Sequence, residues 1–172
     1  GDAFVSVIMA LFVIQYIDGG TASTVGISWM MYRLMSAVTT VPIGKLLDKH
    51  KGYIDEVWAL FIVSILAGIT YIFLSYSSQI WHLYLAMGIL GILRSFDINA
   101  WKIMFYSHIE TKTKGRTIGT YDAAYSVAIG LIYALAGLIG DAYGFRSVVI
   151  LGGILIMLGG IPVLSLRKDK TL

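Results

Sequence analysis

Ionisable residues lie inside some of the long apolar stretches of this chain and are missing from others. That contrast limits what the chain can fold into. Apolar stretches run over about 1–17, 22–47, 55–76, 79–107, 116–140 and 145–166. At ~20 residues per crossing, each except the first is long enough to pass through a hydrocarbon layer ~30 Å thick. The third and sixth carry no charge in their interiors, whereas the other four hold Asp2, Arg33, Arg94, Asp97 and Asp122. A charge at bilayer depth costs several kcal/mol or more, so such side chains face protein or a watery cavity. Stretches one, two, four and five are therefore expected to surround something polar, with three and six against lipid.

Composition supports the same class. Hydrophobic residues make up 58% of the chain and charged ones 13%, too little polar surface for a soluble domain of this length. The expectation is an all-α integral membrane protein, with residues 1–172 forming one domain of six transmembrane helices. The stretch Ala3–Tyr16 spans only ~21 Å at 1.5 Å per residue, so the first helix reads as continuing upstream of Gly1. That would put Asp2 inside the membrane; the other reading of Asp2 is a cap on a short helix.

Loop charge sets the expected orientation. Lys45, Lys49 and Lys51 follow the second stretch, Lys112, Lys114 and Arg116 follow the fourth, and Arg167, Lys168 and Lys170 close the chain. The loops on the other side hold only Arg146. Short cytoplasmic loops collect Lys and Arg, which places both termini in the cytoplasm of a multi-pass plasma (inner) membrane protein. Tyr71, Tyr76, Trp81, Tyr84 and Tyr143 read as interfacial aromatics at the outer ends. The net charge of +3 is thus spent on orientation and implies no nucleic acid.

Enzyme chemistry finds no support. Cysteine is absent, which removes disulfides, thiolate metal sites and a cysteine nucleophile. His50, His82 and His108 show no metal-ligand spacing, and there is no phosphate-binding glycine loop. No metal, cofactor or catalytic residue is expected.

Two segments repeat a pattern on opposite sides of the membrane. Gly44, Asp48 and Gly52 follow the second stretch, and Gly137, Asp141 and Gly144 follow the fifth. Two three-helix units related by inversion would place them so, as in many secondary transporters.

At these residues the chain resembles one six-helix half of a major facilitator superfamily (MFS) transporter. Gly44, Leu46, Asp48 and Lys49 fit that family's signature between helices two and three, although the second glycine comes one position late, at Gly52. Lys114, Gly115, Arg116 and Gly119 match the start of its helix five, and Tyr143–Gly144–Phe145–Arg146 matches the turn before helix six. The glycine-proline antiporter signature is absent; Gly130 and Gly137 stand without proline. The resemblance implies a secondary transporter that moves a small solute by alternating access, with proton coupling as one option. It further implies a second half, supplied by a homodimer or by a longer chain. A membrane scaffold or partner subunit that keeps the half fold without transporting is the alternative.

Candidate site residues follow from the buried charges. Arg94, Asp97 and Trp101 share one stripe, with Arg94 ~22 Å from the outer end of its helix, near the midplane. Asp122 and Tyr125 share a face of the fifth stretch, and Arg33 lies on a stripe with Trp29, Ala37 and Thr40. Together with Asp2 these would form the substrate or proton pathway, an arginine holding an anionic or polar solute while Asp97 or Asp122 exchanges a proton. An intrahelical ion pair that merely neutralises Arg94 and Asp97 is the plainer reading. The resemblance also implies a cytoplasmic latch in which Asp48, with Gly44 and Lys49, meets a helix N-terminus near Gly115 and Arg116.

Overall fold

The structure, a computed structural model, describes residues 1–47, 54–107 and 114–164. Among them it is all-helical: α1 (Asp2–Ser6), α2 (Met9–Tyr16), α3 (Ala22–Leu47), α4 (Ile54–Tyr76), α5 (Ile80–Ser107), α6 (Lys114–Tyr143) and α7 (Phe145–Val163). The expected count of six is corrected to seven among the described residues, because the first apolar stretch is two helices. The break is local. Ser6 Oγ donates back to Ala3 O at 3.0 Å, and Ile8 N bonds Val5 O, three residues back, at 3.1 Å. Such tightening from four-residue to three-residue spacing interrupts the α ladder. Val7 (φ −68°, ψ −30°) and Ile8 (φ −102°, ψ −6°) stay in the right-handed region, so the chain keeps its course.

Among the described residues, four segments are long and apolar enough to cross a membrane: Val57–Tyr76, Ile80–Ile103, Gly115–Tyr143 and Phe145–Val163. α3 has the length but is diluted by Ser, Thr and Arg33. Thr24, Ser28 and Tyr32 are nonetheless buried, and further along Ser95 Oγ of α5 lies 2.9 Å from Ser36 O and 2.9 Å from Thr39 Oγ1. Asn99 Nδ2 donates to Thr40 O at 2.9 Å.

α3 packs on α5, α4 on both α5 and α7, and α6 on α7 and α1. The most enclosed of the four apolar spans is α5, half of whose window is buried, against 11% for α6. Val5, Met9, Phe12, Val13, Leu74, Leu83, Met87 and Val149 make the largest buried cluster. Lipid tails are as apolar as leucine, so helices in a bilayer associate through close contact and hydrogen bonds rather than through a hydrophobic drive. Close contact is visible between α4 and α7, where a Cβ on Gly153 would come within 2.8 Å of Gly68 O, and one on Gly160 within 2.9 Å of Ser64 Cβ.

The expectation that stretches three and six simply face lipid needs correction. Each has two faces. α4 exposes Trp58, Ile62, Leu66, Ile69, Phe73 and Tyr76 on one stripe and buries Val57, Leu60, Val63, Tyr71 and Leu74 on the other. α7 exposes Ile154, Leu155, Leu158 and Ile161 while its glycines press on α4.

Short turns gather at one end of the bundle. Asp18 N donates to Ser78 O at 2.7 Å, joining the α2–α3 and α4–α5 turns. Gly144, at φ +82°, is the single residue between α6 and α7, a conformation open to glycine at no steric cost. Beside it the Arg146 guanidinium sits 4.9 Å from the Tyr16 ring centroid.

Candidate site: a polar pocket among five helices

α5 supplies the charged wall. Leu83, Ala86, Met87 and Leu90 bury the first half of the helix in the core cluster, with α3 and α4 as its main neighbours, and the same helix then presents Arg94 and Asp97 one turn apart. Arg94 Nη1 donates to Asp97 Oδ2, and the two side chains are 38% and 40% exposed. The intrahelical pair read from spacing is thus present, and it faces a pocket of about 130 Å³.

That pocket is lined by Asp2 of α1, Tyr32 of α3, Val63, Ser64, Ala67 and Tyr71 of α4, Leu90, Leu93, Arg94 and Asp97 of α5, and Ile156 of α7. Tyr71 Oη donates to Asp2 Oδ1 at 2.7 Å. Two carboxylates, one guanidinium and two phenols therefore share a small space between apolar walls. Such a site can hold a polar or charged small molecule and orient it by a few convergent groups.

Of the pathway residues expected from sequence, Asp2, Arg94 and Asp97 are brought together here. Arg33, Trp101, Asp122 and Tyr125 do not line this pocket. Arg33 is exposed, with its guanidinium 5.7 Å from the Tyr32 ring centroid. The buried stripe of α3 runs Thr24, Ser28, Tyr32, one residue out of phase with the stripe through Trp29 and Arg33. Burial of a guanidinium is costly, while a phenol tolerates an apolar wall. Trp101 lies against Tyr121 of α6 at 5.7 Å, and Tyr121 stacks on Tyr125 at 5.9 Å. Asp122 is exposed on the part of α6 that its neighbours leave uncovered. α6 is held at its other end, where Ala136 packs with Phe4, Ile8 and Val148.

Of the latch residues, a Cβ on Gly44 would come 3.7 Å from the Asn99 amide, and Gly115 and Arg116 are exposed at the start of α6. Asp48 and Lys49 lie outside the described residues.

Sequence reasoning missed Tyr32, Ser64 and Tyr71. Tyr71 was assigned to the membrane interface, yet it is 4% exposed. Its signal was available in the small residues on its own face: Ser64, Ala67 and Tyr71 fall at i, i+3 and i+7, the spacing of a stripe that leaves room beside a neighbouring helix.

A model of the Major Facilitator Superfamily matches residues 1–171. No curated protein and no solved structure matches the chain.

Proposed function

The chain belongs to the Major Facilitator Superfamily, and on that premise we propose that it is a secondary transporter, or half of one, which moves a small solute by alternating access. The observation that carries this reading is the pocket itself. Three ionisable groups, Asp2, Arg94 and Asp97, converge between helices that are otherwise apolar, and charges at such depth mark solute or ion pathways by default.

In this reading α1 and α2 together make one crossing, since the chain keeps helical angles through their joint. With α3 to α7 that gives six crossings arranged as two inverted three-helix units, with both termini on the cytoplasmic side of a plasma membrane. Solute binds beside Asp2 and the Arg94–Asp97 pair. Release of the pair, or protonation of a carboxylate, lets the pocket open to one side at a time. The uncovered parts of α3 and α6 face a second half, from a second copy or from a longer chain, and Asp122, Arg33, Trp101 and Tyr125 line the passage between the halves. Asp48, Gly44 and Lys49 latch against the α6 start at Gly115 and Arg116 on the cytoplasmic side.

The second reading is a scaffold or partner subunit without transport. What favours it is that Arg94 is already neutralised by Asp97.

Flux into liposomes separates the two. Reconstituted chain should carry some member of a panel of labelled sugars, amino acids, metabolites and amphipathic amines, and an imposed pH gradient should change the rate if protons are coupled. Asp97→Asn should lower flux at least about tenfold while the circular dichroism of the protein stays unchanged. Wild-type vesicles no leakier than empty ones to every solute would overturn the carrier reading and leave the scaffold.

A further inference from the structure

The charges in the pocket do not balance. Its lining holds two carboxylates, Asp2 and Asp97, against one guanidinium, Arg94. Arg94 is engaged by Asp97 one turn along α5. Among the described residues the hydrogen-bond partner of Asp2 is the Tyr71 phenol, which is neutral. Counting the side chains of the lining, one formal negative charge therefore remains. Arg33 stands outside the lining, exposed, with its guanidinium 5.7 Å from the Tyr32 ring centroid.

This excess discriminates between solutes. An anion at Arg94 would have to share the guanidinium with Asp97 in a lining whose other charge is a second carboxylate, or displace Asp97 and leave two carboxylates unpaired among Val63, Ala67 and Leu90. Breaking an ion pair in a partly buried site and retaining one partner is the expensive option. A cation faces the opposite situation, because its charge offsets the carboxylate that has none. The rings of Tyr32 and Tyr71 in the same wall attract ammonium groups through their π faces, most strongly where water is excluded. The walls suit an alkyl or aryl portion, and about 130 Å³ suits a small molecule.

Building on the carrier reading above, we infer that the pocket takes a small organic cation, its ammonium group beside Asp2 and against the rings of Tyr32 and Tyr71. The Arg94–Asp97 pair then adds no net charge and holds the site's geometry, and Arg94 is not an anion receptor.

Equilibrium dialysis in nanodiscs with three probes of similar shape tests this: phenyltrimethylammonium, benzenesulfonate and neutral tert-butylbenzene. The full chain is used with an acetylated N-terminus, so that no terminal ammonium stands next to Asp2. Phenyltrimethylammonium should bind saturably and at least about tenfold tighter than benzenesulfonate. Asp2→Asn should remove that preference, and Asp2→Glu, which keeps the charge, should retain it. Tighter binding of benzenesulfonate, no saturable cation binding, or a cation affinity unchanged in Asp2→Asn overturns the inference. Cation binding without flux leaves the inference standing and removes the carrier reading; flux of an anion with no cation binding does the reverse.

Discussion

The phenol of Tyr71 donates to Asp2 Oδ1 at 2.7 Å, tying α1 to α4 across 69 residues of sequence. Tyr71 is buried, and its donor reaches a carboxylate in a pocket lined largely by apolar groups. Tyr71→Phe keeps the ring packing and removes that donor. Hydrogen bonds to charged groups contribute about 1.5–3 kcal/mol, so unfolding in detergent should show a loss of that size. Asp2→Asn retains an acceptor oxygen and should cost less. If Tyr71→Phe unfolds together with the wild type, the bond does not hold α1 in place.

The Arg94–Asp97 pair supports a prediction of non-additivity. Asp97→Ala leaves a guanidinium without its partner. Removing one member of a fully buried pair costs about 3–5 kcal/mol, and exposure of these side chains at 38% and 40% lowers the expected figure to about 1–3 kcal/mol. Arg94→Met combined with Asp97→Leu should recover most of that loss, since neither charge is then left alone. Flux should not recover. A double variant as unstable as the sum of the single ones would show that the two side chains act independently.

The all-helical membrane class was legible because hydropathy and charge vary along the chain at a scale the eye can count. Span positions, the polar character of the fourth stretch and the Arg94–Asp97 spacing all live within single helices. What sequence could not supply was rotation. α3 turns Tyr32 inward and Arg33 outward, a difference of one residue, and only packing against α5 decides it. Tyr71 was misplaced for a related reason: an aromatic near a helix end reads as interfacial unless its partner is known, and Asp2 is far away along the chain. The break at Val7–Ile8 was equally hidden, since a lone serine in an apolar run, Ser6, does not by itself announce a change of hydrogen-bond spacing.

Ser95 is fully buried on α5, and its hydroxyl lies within 3.2 Å of Ser36 O, Thr39 Oγ1 and Thr40 Oγ1. It is the densest polar contact of the α3–α5 seam among the described residues. Interhelical hydrogen bonds inside membranes average about 0.6 kcal/mol and reach about 1.7, so Ser95→Ala should fall in that range. Thr70→Ala is a suitable control, because among the described residues Thr70 Oγ1 bonds its own helix, at Leu66 O. Equal losses for the two would mean that the seam contributes nothing across the helices.

The glycines of α4 and α7 permit the sharpest comparison, because one helix carries both kinds. A Cβ on Gly153 would meet the Gly68 carbonyl at 2.8 Å, and backbone cannot swing aside as a side chain can. A Cβ on Gly159 would meet nothing within 4 Å. Gly153→Ala must therefore push α7 off α4, at the cost of about 1–3 kcal/mol seen when packed interiors are overfilled. Gly159→Ala relieves the conformational entropy of a helical glycine and should stabilise by about 0.5–1 kcal/mol. α4 also supplies Tyr71 and Ser64 to the pocket, so a displaced α4 should weaken ligand binding in Gly153→Ala and leave it intact in Gly159→Ala. Thermal unfolding and dialysis of the same two proteins measure both effects. A Gly153→Ala protein as stable as Gly159→Ala would show that α4 and α7 stand further apart than the structure places them.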